Sequence, residues 1–96
     1  MKEISIVIPA YMEAANIESA VQNTLWALKE VGIENYELLI ITCLRQDGTH
    51  DGTPDIAESL VKQDSRLKVF HNQYISLGAK YWQGVDAAKY RYITLV

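Results

Sequence analysis

Two short stretches concentrate the residue types that do chemistry. Residues 47–53 read DGTHDGT, two Asp-Gly-Thr triplets around a histidine, and residues 9–13 read PAYME. Carboxylates beside an imidazole can hold a metal, move a proton or simply turn the chain. Each Asp-Gly pair suits a tight turn, with the Asp side chain bonding its own downstream backbone and the Gly supplying φ > 0. Asp51 and Thr53 stand where they can satisfy the open N–H groups of a following helix, which favours a structural role for that half. Asp47 has no such duty by its position, so it is the better ligand-facing carboxylate. His50 has no second His or Cys spaced to complete a metal site, and His71 stands equally alone.

In the other stretch, Tyr11 places an aromatic face where a nucleobase can stack, or else it packs on its own loop. Glu13 can accept from ribose hydroxyls or from backbone N–H groups, or else favour a helix dipole. Pro9 stiffens the chain just before them. Cys43 is the only cysteine, which leaves no disulfide framework and no thiolate cluster, and an inert thiol is expected.

Several other chemistries fail on specific absences. The chain carries no G-x-G-x-x-G after its first apolar run, no G-x-x-x-x-G-K-[ST] and no G-x-S-x-G, so the dinucleotide, P-loop and serine-hydrolase signatures are missing. A net charge of −3 over 96 residues gives no basic field for a nucleic-acid backbone. No run approaches the ~20 apolar residues that span a bilayer. The opening MKEISIVIPAYMEA has an apolar core too short for a signal peptide. The expected location is the cytoplasm, with peripheral membrane attachment of a longer parent left open.

The elements that must position these residues alternate clearly. ISIVI (4–8), YELLIIT (36–42), RLKVF (66–70) and RYITLV (91–96) are short apolar runs, as expected of strands buried on both faces. Between the first two, Ile17, Val21, Leu25, Leu28 and Val31 mark the apolar side of a helix that Asn16 can cap and Gly32 can end. Thr53 as N-cap and Pro54 at the first helical position open a second helix with Ile56, Ala57, Leu60 and Val61 inside. Gly78, Tyr81, Trp82, Val85 and Ala88 give the inner face of a third. The order β-α-β-α-β-α-β predicts an α/β fold: a three-layer α/β/α, Rossmann-like domain on a parallel four-stranded sheet. Ligands in such sheets bind beyond the carboxyl ends of the strands, where residues 9–13, 43–52 and 71–76 fall.

With those segments in place, the whole chain resembles the N-terminal half of a family 2 glycosyltransferase of the GT-A type. The resemblance is nearest to the dolichol- and polyprenyl-phosphate sugar transferase branch. ISIVIPAYMEAANI resembles the opening strand and V-I-P-x-Y-N-E-x-x-x-I signature, with Met12 where Asn is usual. YELLIIT followed by DGTHDGTPDIAE resembles the second strand and its D-D-G-S-x-D-G-T loop. LGAKYWQGVDAAKYRYITLV resembles the L-G-A-A-Y-x-x-G helix and the strand after it.

The resemblance implies a donor-nucleotide pocket for a UDP- or GDP-sugar, lined by Pro9, Tyr11, Glu13, Gln46 and Asp47. Gln46 stands where the family has a second acid, after a short insertion at 43–45. It further implies Mg²⁺ or Mn²⁺ in the full-length parent, held by a D-x-D motif that these 96 residues lack. On this reading residues 1–96 are a partial nucleotide-sugar-binding domain, truncated before that motif. It would hold no metal and no catalytic base of its own, and the isolated chain would be inactive. The alternative is a non-enzymatic association module. A fourth strand rich in Tyr92, Ile93, Leu95 and Val96 would leave an open sheet edge, and a homo-oligomer through that edge is expected on either reading.

Overall fold

The computed structural model describes residues 3–90 and 92–95. Four strands, β1 (Glu3–Ala10), β2 (Asn35–Cys43), β3 (Leu67–Asn72) and β4 (Tyr92–Leu95), alternate with three helices, α1 (Ile17–Glu30), α2 (Thr53–Val61) and α3 (Leu77–Ala87). All strand pairs are parallel, in the order β3-β2-β1-β4. This is the α/β architecture expected from the alternation of apolar runs and helical periods. The predicted fourth strand extends to Arg91 and Val96, which lie outside the described residues.

Because side chains alternate along a strand, the central strands feed two separate cores. Ile6, Ile8, Ala10, Leu38 and Ile40 pack against Ile17, Val21 and Leu28 of α1 and Ala57 and Leu60 of α2. Val7, Leu39 and Ile41 face the other way, against Phe70, Ile75, Tyr81 and Ala87. Layers of helix therefore cover both faces, and β1 and β2 are buried almost throughout.

Helix α1 ends as its sequence predicts. Gly32 takes φ 77°, its N–H donates to the Lys29 carbonyl at 3.1 Å, and the Ile33 N–H donates to Leu28 at 3.0 Å. That is the paired closure that a left-handed glycine allows. Asn16 precedes the helix without a side-chain cap, and Val31 points to solvent.

Beyond the missing Asn16 cap and the exposed Val31 of α1, two expectations for the other helices need correction. The residue before α2 is Gly52, at φ 100°, and Thr53 is the first helical residue. Helix α3 turns Lys80 and Gly84 inward, and Trp82 is 69% exposed, although spacing put Trp82 inside. The reason is local. A Cβ on Gly84 would overlap both γ carbons of Val7 and reach 3.0 Å from its Cβ. Only glycine lets α3 lie this close to β1, and that contact sets the rotation of the helix.

At the amino ends of the strands a buried carboxylate ties α3 to the sheet. Glu37, 1% exposed, accepts from the Ser5 hydroxyl at 2.7 Å, the Lys68 ammonium at 3.2 Å and the Lys89 N–H at 2.6 Å. Burial alone would push its pKa up. The Lys89 N–H, the Ser5 hydroxyl and Lys68 together hold it below its ordinary value.

Candidate functional site

Odd-numbered residues of β1 face α3, so Pro9 at the strand's end is on the α3 side, and Tyr11 follows it at the sheet's carboxyl edge. Helix α3 runs back antiparallel to the strands, which brings Lys80, one turn before Gly84, toward the same edge. A cavity of about 490 Å³ opens there, lined by Pro9, Tyr11, Glu13, Tyr74, Ile75 and Lys80, with Leu77 at its rim. That volume lies within the range of small-molecule sites. Tyr11 and Tyr74 meet edge to face, with ring centroids 6.0 Å apart at 74°. The Lys80 Nζ lies over the Tyr11 ring, 5.3 Å from its centroid, and donates to the Ile75 carbonyl at 3.1 Å.

The wall that carries Tyr11 and Glu13 is held from a distance in sequence. The Glu13 N–H donates to Thr53 Oγ1 at 3.0 Å, and the Ala14 N–H donates to Asp51 Oδ2 at 3.2 Å. Asp51 Oδ1 also accepts from the Thr53 N–H at 3.1 Å and from the Thr53 hydroxyl. The Thr53 hydroxyl, with the N–H groups of Ala14 and Thr53, holds the Asp51 carboxyl below its usual value, against the opposing effect of burial. Asp51 thus does serve the start of α2, as its position suggested. Its second oxygen, with Thr53, braces the β1–α1 loop. Between the braced residues and Tyr11, Met12 sits at φ 56°, a conformation that side chains larger than Asn or Asp rarely adopt.

The site residues expected from sequence divide into two groups. Pro9, Tyr11 and Glu13 come together in one cavity. Gln46 and Asp47 do not line it; they are exposed in the loop after β2. Asp47 makes the local turn bond expected of an Asp-Gly pair, with a hydroxyl contact added, although its position also marked it as the ligand-facing carboxylate. Its Oδ1 accepts from the Thr49 N–H at 3.0 Å and the Thr49 hydroxyl at 2.6 Å, and the Thr49 hydroxyl is the main reason its pKa is lowered. Arg45 donates to the same hydroxyl at 2.8 Å. The turn is therefore ordered by its own side chains.

The histidines have structural roles. His50 Nδ1 accepts from the Gly52 N–H at 2.9 Å. His71 lies between the Thr42 hydroxyl, 2.7 Å from Nδ1, and the Glu58 carboxylate, 2.7 Å from Nε2. This imitates a hydroxyl–imidazole–carboxylate relay, with Thr42 fully buried, at a second cavity of about 430 Å³ that Thr42, His50 and His71 help to line. Cys43 is a buried free thiol. Among the described residues no group of three or more His, Cys, Asp or Glu is placed to hold a metal ion, and none of their helices is long and apolar enough to cross a membrane.

Sequence reasoning overlooked Lys80 and Tyr74. Lys80 carries one available signal, a cation on the apolar side of a helix four residues before a glycine. Tyr74 falls in the 71–76 segment at the strands' carboxyl ends, but that it is the residue of this segment that meets Tyr11 depends on how the β3–α3 loop folds.

Comparison with known proteins adds an independent finding. Residues 5–96 match the family described as glycosyl transferase family 2. The chain is 32% identical over 93 residues to the protein EpsH of Bacillus subtilis (strain 168), an alignment covering 97% of this chain and 25% of EpsH. It is 35% identical over 71 residues to the glycosyltransferase AglD of Haloferax volcanii, covering 73% of this chain and 11% of AglD. It is 28% identical over 94 residues to the glycosyltransferase GlyG of Streptococcus pneumoniae serotype 4, covering 97% of this chain and 29% of GlyG. The chain therefore spans under a third of the length of these curated relatives.

Proposed function

We propose, from the premise that this chain belongs to glycosyltransferase family 2, that its Tyr11 cavity receives the nucleotide of a sugar donor. One observation carries the reading: in a chain of this family, Pro9, Tyr11 and Glu13 share one cavity at the carboxyl edge of a parallel sheet. A base would stack on the free part of the Tyr11 ring, and Glu13 would accept from ribose hydroxyls. Gln46 and Asp47, outside the cavity lining in the exposed loop after the neighbouring strand, would meet the base edge where it projects beyond Tyr11. An amide both donates and accepts, whereas a carboxylate only accepts, so this pair can meet both kinds of group on a base edge without selecting one base.

The donor is a UDP- or GDP-sugar, and the parent reaction is inverting transfer of a hexose-type sugar. In it a nucleophilic oxygen of the acceptor bonds to the anomeric carbon as the bond to the nucleoside diphosphate breaks. That oxygen is either a phosphate oxygen or a hydroxyl whose proton passes to a base of the parent. The resemblance to the dolichol- and polyprenyl-phosphate sugar transferase branch suggests a lipid phosphate as the parent's acceptor, bound outside residues 1–96. In this account residues 1–96 supply donor binding. Among the described residues no cluster of His, Cys, Asp or Glu fits a divalent metal; in this reading Mg²⁺ or Mn²⁺ would be held by other segments of the full-length parent.

The test is thermal melting with millimolar UDP or GDP. A ligand that binds the folded chain raises the melting temperature, and Tyr11→Ala abolishes the rise. No rise with either nucleotide contradicts the reading.

A second reading rests on β4. Among the described residues it pairs with β1 alone, and Tyr92 is 67% exposed. Such an edge offers unpaired backbone to another strand, so we expect a concentration-dependent dimer. A monomer by sedimentation at all concentrations contradicts it.

A further inference from the structure

We propose that Lys80 is the anion anchor of the Tyr11 cavity, placed to take a phosphate oxygen of the bound nucleotide; the proposal rests on the nucleotide reading above. Lys80 is 4% exposed and lines that cavity. An ammonium has three protons to donate. Among the described residues it makes one hydrogen bond, to the Ile75 carbonyl, and it forms no ion pair with any of them. The Tyr11 ring offsets part of the lost hydration through its π face. A neutral carbonyl and a ring face do not replace the water stripped from a buried cation, and burying a charge without a counter-charge is strongly unfavourable. The arrangement is complete when an oxyanion enters the cavity.

Two further features sort that anion. The N-terminal turn of α3 borders the same space through Leu77, and a helix amino end favours negative charge. Glu13 contributes a carboxylate to the same lining, which disfavours a bare anion and accepts from hydroxyl groups. The cavity therefore suits a ligand with a flat apolar part, hydroxyls and a phosphate. Lys80 already lies over the Tyr11 ring, so base and phosphate occupy different parts of the lining.

A purely structural lysine makes the opposite forecast. Replacing a buried charge by an apolar side chain of similar length often leaves stability unchanged or raises it. Calorimetric titration of the protein, Lys80→Met and Lys80→Arg with UDP, GDP, their nucleosides and inorganic pyrophosphate, all without metal, separates the cases. The expected result is that K80M weakens a diphosphate by about ten- to a hundredfold. Nucleoside binding stays the same, K80R retains most of the affinity, and the K80M melting temperature is not lowered. Equal weakening of nucleoside and diphosphate, or no weakening of either, overturns the anchor. Pyrophosphate binding as tight as UDP and GDP, and lost in K80M, would sustain the anchor while removing the nucleotide reading. Binding of none of these ligands overturns both.

Discussion

The Glu13 N–H donates to the Thr53 hydroxyl at 3.0 Å, across forty residues of sequence. With the Asp51–Ala14 bond beside it, this joins the first two loops at the carboxyl edge of the sheet into one unit. The second Asp-Gly-Thr triplet is therefore a brace for the wall that presents Tyr11 and Glu13. Thr53→Val keeps the side-chain shape and removes the acceptor. It should cost about 1–2 kcal/mol of stability in urea titrations and weaken UDP or GDP severalfold. Unchanged stability would show that the brace contributes nothing.

Met12 lies between the braced residues and Tyr11 at φ 56°. Asn adopts this conformation more readily than Met, and a left-handed residue with an ordinary side chain costs on the order of 1 kcal/mol. Met12→Asn should raise the melting temperature by about 3–5 °C, and Met12→Val, branched at Cβ, should lower it. A drop for Met12→Asn would mean that the methionine side chain makes contacts worth more than the backbone strain.

Acid should unfold the protein from its carboxylates. Glu37, Asp51 and Asp64 all have lowered pKa values in the folded chain, so the unfolded chain binds their protons first as pH falls. The stability they contribute is fully present above their ordinary values of 3.8 to 4.5 and is lost as pH drops through the lower folded-state values. Denaturant midpoints measured from neutral to acid pH should hold and then fall in that window. In Glu37→Gln, which is less stable at neutral pH, the fall should be shallower. An equally steep fall in the variant would assign the acid limb to other groups.

The parallel sheet was legible because Ile4 to Ile8 and Tyr36 to Thr42 are runs that suit burial on both faces, and no helical period competes with them. Pro9, Tyr11 and Glu13 were legible as a group because they leave one strand together. Other features depend on contacts between distant segments. Trp82 has the spacing of an inner residue, yet the approach of Gly84 to Val7 turns it to solvent and turns Lys80 in. Asp47 was set apart as free of helix-capping duty, yet the Asp-Gly turn already implied its bond to the Thr49 N–H; only the added Thr49 hydroxyl contact was not legible. Thr53 is different, because its partner lies in another loop.

The most direct test of the account is a titration of the isotopically labelled protein with UDP and with GDP, followed by the backbone amide shifts. The account predicts saturable shifts with at least one nucleotide, centred on Tyr11, Glu13, Tyr74 and Lys80. Shifts confined to other faces of the fold, or none at millimolar nucleotide, would contradict it.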